Sequence, residues 1–301
     1  MVSVPLLAIS RTEANQITIL GCSDPEREIA TIPVASNQPF GLTFDRTRQW
    51  IYVACWNGAE IAAINLNSFR KEKSLHADGL PAWATPRDGT DEVWISRERA
   101  GVVMILDGRT WSIAGEIATG GGPSDIVFTR NGLDAWVSNE KDGNVSLCDA
   151  TTRRKLCDIR VGKVPQGIAV ANGGSRLLVA NFGSNSISVV DTAELKELIQ
   201  IAVGRGPVDV VAVQGEQFQR AWITCFREGA VSVIDLEQNK EIERIPTGGK
   251  PQGLEVHPNG QRVYAAIRDL NQIAVLATGQ PWRILRRIKM DGGPARMAIV
   301  P

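Results

Sequence analysis

The chain is short of the side chains that carry most acid–base and metal chemistry: its 301 residues include only two histidines and five cysteines. The cysteines, Cys22, Cys55, Cys148, Cys157 and Cys225, show no Cys-x-x-Cys spacing. Two separated histidines and scattered thiols cannot assemble a zinc set, so no metal site is expected. An odd number of cysteines points to reduced thiols and a cytoplasmic setting, although Cys148 and Cys157 could meet across a hairpin. Net charge is lacking too, because Lys+Arg and Asp+Glu each total 33, so no overall field steers the molecule to nucleic acid or an anionic membrane. No run reaches the ~18 apolar residues of a membrane helix, and the opening MVSVPLLAIS carries no charged segment, so neither a span nor a signal peptide is expected. There is no P-loop, no G-x-S-x-G elbow and no dinucleotide fingerprint, hence no expected cofactor.

What the sequence has is repetition. A proline followed by an apolar run recurs at NQPFGLTF, GLPAWAT, GGPSDIVF, KVPQGIAV, RGPVDVVAV, GKPQGLEV and GGPARMAIV. The prolines are Pro39, Pro81, Pro123, Pro165, Pro207, Pro251 and Pro294, spaced by 42, 42, 42, 42, 44 and 43 residues. Each unit continues with a turn such as RNG or PNG, an aromatic-led strand, a Gly/Asn-rich loop, a third strand of the VSVID type and a charged fourth strand. Short runs rich in Val, Ile and aromatics, bounded by Gly, Asn, Asp and Pro, read as strands. Four strands make a blade that cannot bury both faces alone, so the units must stack radially. The expected fold is all-β: a seven-bladed β-propeller of four antiparallel strands per blade, forming one domain over 1–301. The N- and C-terminal strands close one shared blade, blade seven, from 1–36 plus 291–301.

The segment VPQGIAVANGGSRLLVANFGSNSISVVDT, residues 164–192, resembles the YVTN-type propeller repeat nearly throughout, and the likeness extends over essentially the whole chain. It implies the propeller fold. For function it implies a broad set, since such propellers are similar to lactonases, muconate-cyclising enzymes, streptogramin lyases, cell-surface proteins and nucleic-acid binders.

In this strand order, the loop leading into each first strand and the loop joining strands two and three share one face, expected to form the funnel mouth. Departures from the repeat at these positions are the candidate site. They place Arg11, Arg97, Arg268 and Arg296 with Trp56 and Trp83 on one arc, and Asp125, Asp209, Glu140, Asn139, Asn181, Phe182 and Phe226 on the other. Guanidiniums match carboxylate and phosphate, and indoles supply flat apolar surface, so the arc reads as a pocket for an anionic amphipathic small molecule or acidic peptide segment. The alternative is that the arginines are rim charges paired with Asp125, Asp209 and Glu98, with Trp83 a wedge between blades.

A lactonase, cyclase or lyase acting on a carboxylate-bearing substrate is the second reading, implied by the resemblance. His76 or Glu140 would be its general base, and Arg11, Arg97 and Arg296 would hold the substrate. A monomeric protein-interaction scaffold is the third. His257, in EVHPNG, and Asp149, Asp191 and Asp235, which recur at the ends of third strands, read as turn residues. Zero net charge and the lack of a lysine stripe argue against nucleic acid.

Overall fold

A computed structural model describes residues 4–34, 37–129, 132–214 and 219–301. Arg130 and Asn131 of the expected RNG turn, and the expected boundary at residues 1 and 36, lie outside the described residues. The chain forms seven four-stranded antiparallel sheets arranged as a propeller. Each sheet opens with a strand beginning at one of the repeat prolines: Pro39–Asp45, Pro81–Pro86, Pro123–Phe128, Pro165–Ala171, Pro207–Gln214 and Pro251–Val256 for blades one to six, and Pro294–Val300 for blade seven. These strands surround the axis. Proline starts them because a first strand residue need not donate to the ladder.

Blade seven confirms the closure expected from the termini: Pro294–Val300 pairs antiparallel with Leu6–Arg11, aligning Leu7 with Ile299 and Ile9 with Met297. Strands Gln16–Gly21 and Arg27–Pro33 complete it. The core lies between blades, where apolar faces of neighbouring sheets meet. The aromatic-led second strands supply its largest members: Trp94, Trp136, Trp222, Tyr52 and Tyr264 are fully buried. Asp149, Asp191 and Asp235 each accept the N–H groups two and three residues on, which holds the turn after the third strand. All five cysteines are free, and Cys148 and Cys157 do not face each other: Lys155 stands opposite Cys148, and Leu147 opposite Cys157.

Candidate functional site

The innermost strands are not regular. Pairing with the second strand shifts just after the leading proline, for example between Pro39 and Leu42, Pro123 and Ile126, and Pro251 and Leu254. Such a bulge re-aims side chains. The residues two places after the prolines are Gly41, Trp83, Asp125, Gly167, Asp209, Gly253 and Arg296. They form one layer across the axis, and the glycines are required by its packing. A Cβ on Gly41 would meet the Ala82 carbonyl at 2.3 Å, one on Gly167 the Val208 carbonyl at 2.7 Å, and one on Gly253 the Ala295 carbonyl at 2.5 Å. Each glycine lets the next blade bring a large residue inward.

The second strand records which kind of blade it belongs to. Beside Trp83, Asp125, Asp209 and Arg296 it carries Ser96, Ser138, Thr224 and Ser10, whose hydroxyls each accept the N–H of the layer residue. Three of these hydroxyls also donate to the next blade, at the carbonyls of Ser124, Gln166 and Gln252. The glycine blades carry Ala54, Ala180 and Ala266 at the same place.

At the centre of the layer, Arg296, only 4% exposed, is ion-paired with Asp209 at 2.8 Å and lies 5.2 Å from the ring centres of both Phe40 and Trp83. Asp209 accepts the N–H groups of Val210 and Leu254, and Asp125 those of Ile126 and Ile168, so each carboxylate ties two neighbouring blades together. Burial pushes the Asp125 carboxyl up to about 7, with the Asp209 charge adding to the rise against its own backbone bonds.

The four arginines do not converge. Arg11 and Arg97 end their second strands, where Asn139, Asn181 and Cys225 also stand, and this position faces the third strand of its own blade. Asn139 and Asn181 donate to Ser146 and Ser188, seven residues on. Arg11 reaches the equivalent Thr18 and the Asp291 carbonyl. Arg97, with Met104 in that place, passes on to Glu116 of the outermost strand and to the Asp78 carbonyl. Arg268 sits on the rim, 3.5 Å from Glu13. Only Arg296 is axial. His76 ends the outermost strand of blade one, Arg70–His76, where its side chain is 71% exposed and bonded to Asp78. That puts three strands of its blade between it and the axis. His257 lies in a turn on the opposite face, bonded to Asn259.

The next position along forms the upper rim. Trp56 donates its indole N–H to Glu98 at 3.0 Å. Burial and then the Glu98 charge push the Glu140 carboxyl up to about 7, while the Ser124 hydroxyl and Arg296 act against the rise. Across the ring, the Arg227 guanidinium lies 4.3 Å from the Phe182 ring centre and the Lys250 ammonium 5.6 Å from that of Phe226. Among the described residues neither cation has a carboxylate within 4.0 Å. Sequence reasoning named the two phenylalanines and missed both cations: Arg227 stands one place past the compared Phe226, and Lys250 one place before Pro251.

Below the layer the axis opens into a cavity of about 760 Å³ lined by all seven innermost strands, with Trp83, Asp125 and Asp209 in its roof. The residues four places after the prolines line it: Thr43, Thr85, Val127, Ala169, Val211, Glu255 and Ala298. Seven strands enclose more space than such small side chains fill, and the cavity faces away from the predicted mouth. Glu255 is the single ionisable member of the ring; burial and the Asp209 charge push its carboxyl up to about 8.

No protein-family model and no curated protein matches the chain. Solved structures resemble it in fold. A protein of unknown function from Desulfotomaculum acetoxidans aligns with TM-score 0.83 at 12% identity, over 98% of each chain. A candidate 6-phosphogluconolactonase from Bacteroides fragilis aligns with TM-score 0.82 at 14% identity, over 99% of this chain and 98% of its own. Kuenenia stuttgartiensis hydrazine synthase aligns with TM-score 0.78 at 15% identity, over 86% and 89%. At these identities the likeness is one of fold.

Proposed function

We propose that this propeller binds an anionic amphipathic small molecule across its upper mouth. The observation that carries the reading is the pair of cations, Arg227 and Lys250, lying on the faces of Phe182 and Phe226 without carboxylate partners. Rings hold the apolar body of such a ligand, and the cations on them hold its charge. Glu98, on blade two and held by the Trp56 indole, keeps negative charge on the opposite side, which orients the ligand with its anionic end towards blades four to six. Thermal-shift screening with aromatic carboxylates, aryl phosphates and lactones checks this. A ligand at 100 times its dissociation constant adds about 2.7 kcal/mol. The shift is expected in the native protein and lost in an Arg227→Ala/Lys250→Ala variant of unchanged stability. Flat responses across all three classes defeat the reading.

One observation favours a second reading, acid–base chemistry on a lactone or related carboxylate. Burial and the neighbouring Glu98 charge hold the Glu140 carboxyl above its usual range, a pattern found at groups that act as acids. Glu140 then donates the proton, and turnover falls as pH rises through about 7. Glu140→Gln is expected to cut turnover of any lactone hit roughly 100-fold or more. Unchanged turnover removes Glu140 from the chemistry.

A further inference from the structure

We propose that the axial cavity is a second binding site, reached from the lower face, that takes an organic cation with Glu255 as its anionic anchor and the Trp83 ring in its roof. At about 760 Å³ the cavity is of the size that small-molecule sites have, roughly 300–1,000 Å³. Its walls are apolar or hydroxyl-bearing, and the repeat gives no packing reason for a carboxylate among them: the six equivalent residues are threonine, valine or alanine. A glutamate at this depth loses hydration, which is a cost unless a partner restores it.

The charges around Glu255 decide the sign of that partner. Asp209 stands above it on blade five and Asp125 on blade three, and both are occupied with backbone N–H groups, Asp209 also with Arg296. Among the described residues, blades four and seven line the cavity below the axial layer with no charged side chain, and blades one and two bring charge only to its lower lip. At the lower lip stand one exposed cation, Arg46, and one exposed carboxylate, Asp88. Just past the strand that carries Glu255, His257 is turned into its own loop by Asn259. An anion entering this space meets carboxylates on three strands, whereas an ammonium gains Glu255 directly and the Trp83 ring by cation–π attraction. The raised Glu255 carboxyl agrees with a carboxylate that lacks such a partner in the free protein.

Isothermal titration with benzyltrimethylammonium tests this, because the probe keeps its charge at every pH and any pH dependence is then the protein's. Affinity is expected to tighten at least about tenfold between pH 6 and pH 9, as Glu255 ionises through about 8. Glu255→Gln, nearly isosteric, is expected to weaken binding at pH 9 by about tenfold or more and to flatten the pH profile. Ala169→Phe, which narrows the cavity without touching the carboxyl, weakens it as well. The Arg227→Ala/Lys250→Ala variant leaves it unchanged, which separates this site from the one proposed on the upper rim. No binding at either pH, or equal binding by the native protein and Glu255→Gln, overturns the proposal.

Discussion

A chain ending at Gly293 is expected to lose its cooperative unfolding transition in urea, or to show it at a much lower midpoint than the full chain. The eight residues removed supply the innermost strand of blade seven and one wall of the axis. Met297 and Val300 are 3% and 5% exposed, and Ile299 is half-buried against Leu7, Ile9 and their neighbours. At about 1.5–3 kcal/mol for each large apolar side chain, the lost burial is roughly 4–8 kcal/mol. A whole domain is stable by only about 5–15 kcal/mol.

The loss does not stay local. Ala298 and Val300 also pack in the cluster with Leu42 and Ile51 of blade one, while Met297 packs in the one with Tyr264 of blade six. Both neighbours of the missing strand are therefore unsealed, and Leu6–Arg11 is left with an unpaired edge. A circular permutant that keeps every strand but opens the chain in an exposed lower turn separates strand loss from the mere position of the ends. It should unfold near the native midpoint. An equal midpoint for the truncated chain would show that blade seven does not close the ring energetically.

The fold was legible because each blade repeats the same punctuation, and a fixed proline followed by alternating apolar residues leaves few ways to bury the strands. The site was legible only in part. Comparing equivalent positions located Asp125, Asp209 and Arg296 at the axis and Trp56, Phe182 and Phe226 at the rim, but it also gathered Arg11 and Arg97. Those two end a strand whose last side chain turns towards its own blade, and this facing is set by register, which a list of equivalent positions does not contain. One signal would have helped. Serine or threonine ahead of the last residue of the second strand marks the blades with large axial residues, and alanine marks those with glycine, so the inward residues can be read from that pairing. Glu255 was not legible among the loop positions of one face, because it stands mid-strand where the repeat is otherwise small.

Replacing Arg296 by methionine is expected to destabilise the native protein by about 3–5 kcal/mol at neutral to alkaline pH, because it leaves a buried carboxylate without its counter-charge. Asp209 cannot swing into water: its oxygens are fixed by the Val210 and Leu254 N–H groups, and it is 8% exposed. Methionine fills much of the space between Phe40 and Trp83, so the effect reports charge more than volume. The pH dependence carries the signature. In the native protein the Asp125, Glu140 and Glu255 carboxyls are pushed up to about 7, about 7 and about 8, above the ~4 of an unfolded chain. The folded state therefore binds more protons than the unfolded one between about pH 4 and these values. Stability that is present in mild acid is lost as pH rises through 7 to 8. Without Arg296 the same carboxyls repel one another more strongly when ionised, and protonation relieves them. Urea midpoints of the native protein and Arg296→Met should therefore diverge from pH 5.5 to pH 8.5. A gap under about 1 kcal/mol at pH 8.5 would mean that the axial ion pair contributes no more than an exposed one, and an equal gap at both ends would mean that the carboxyls titrate independently of Arg296.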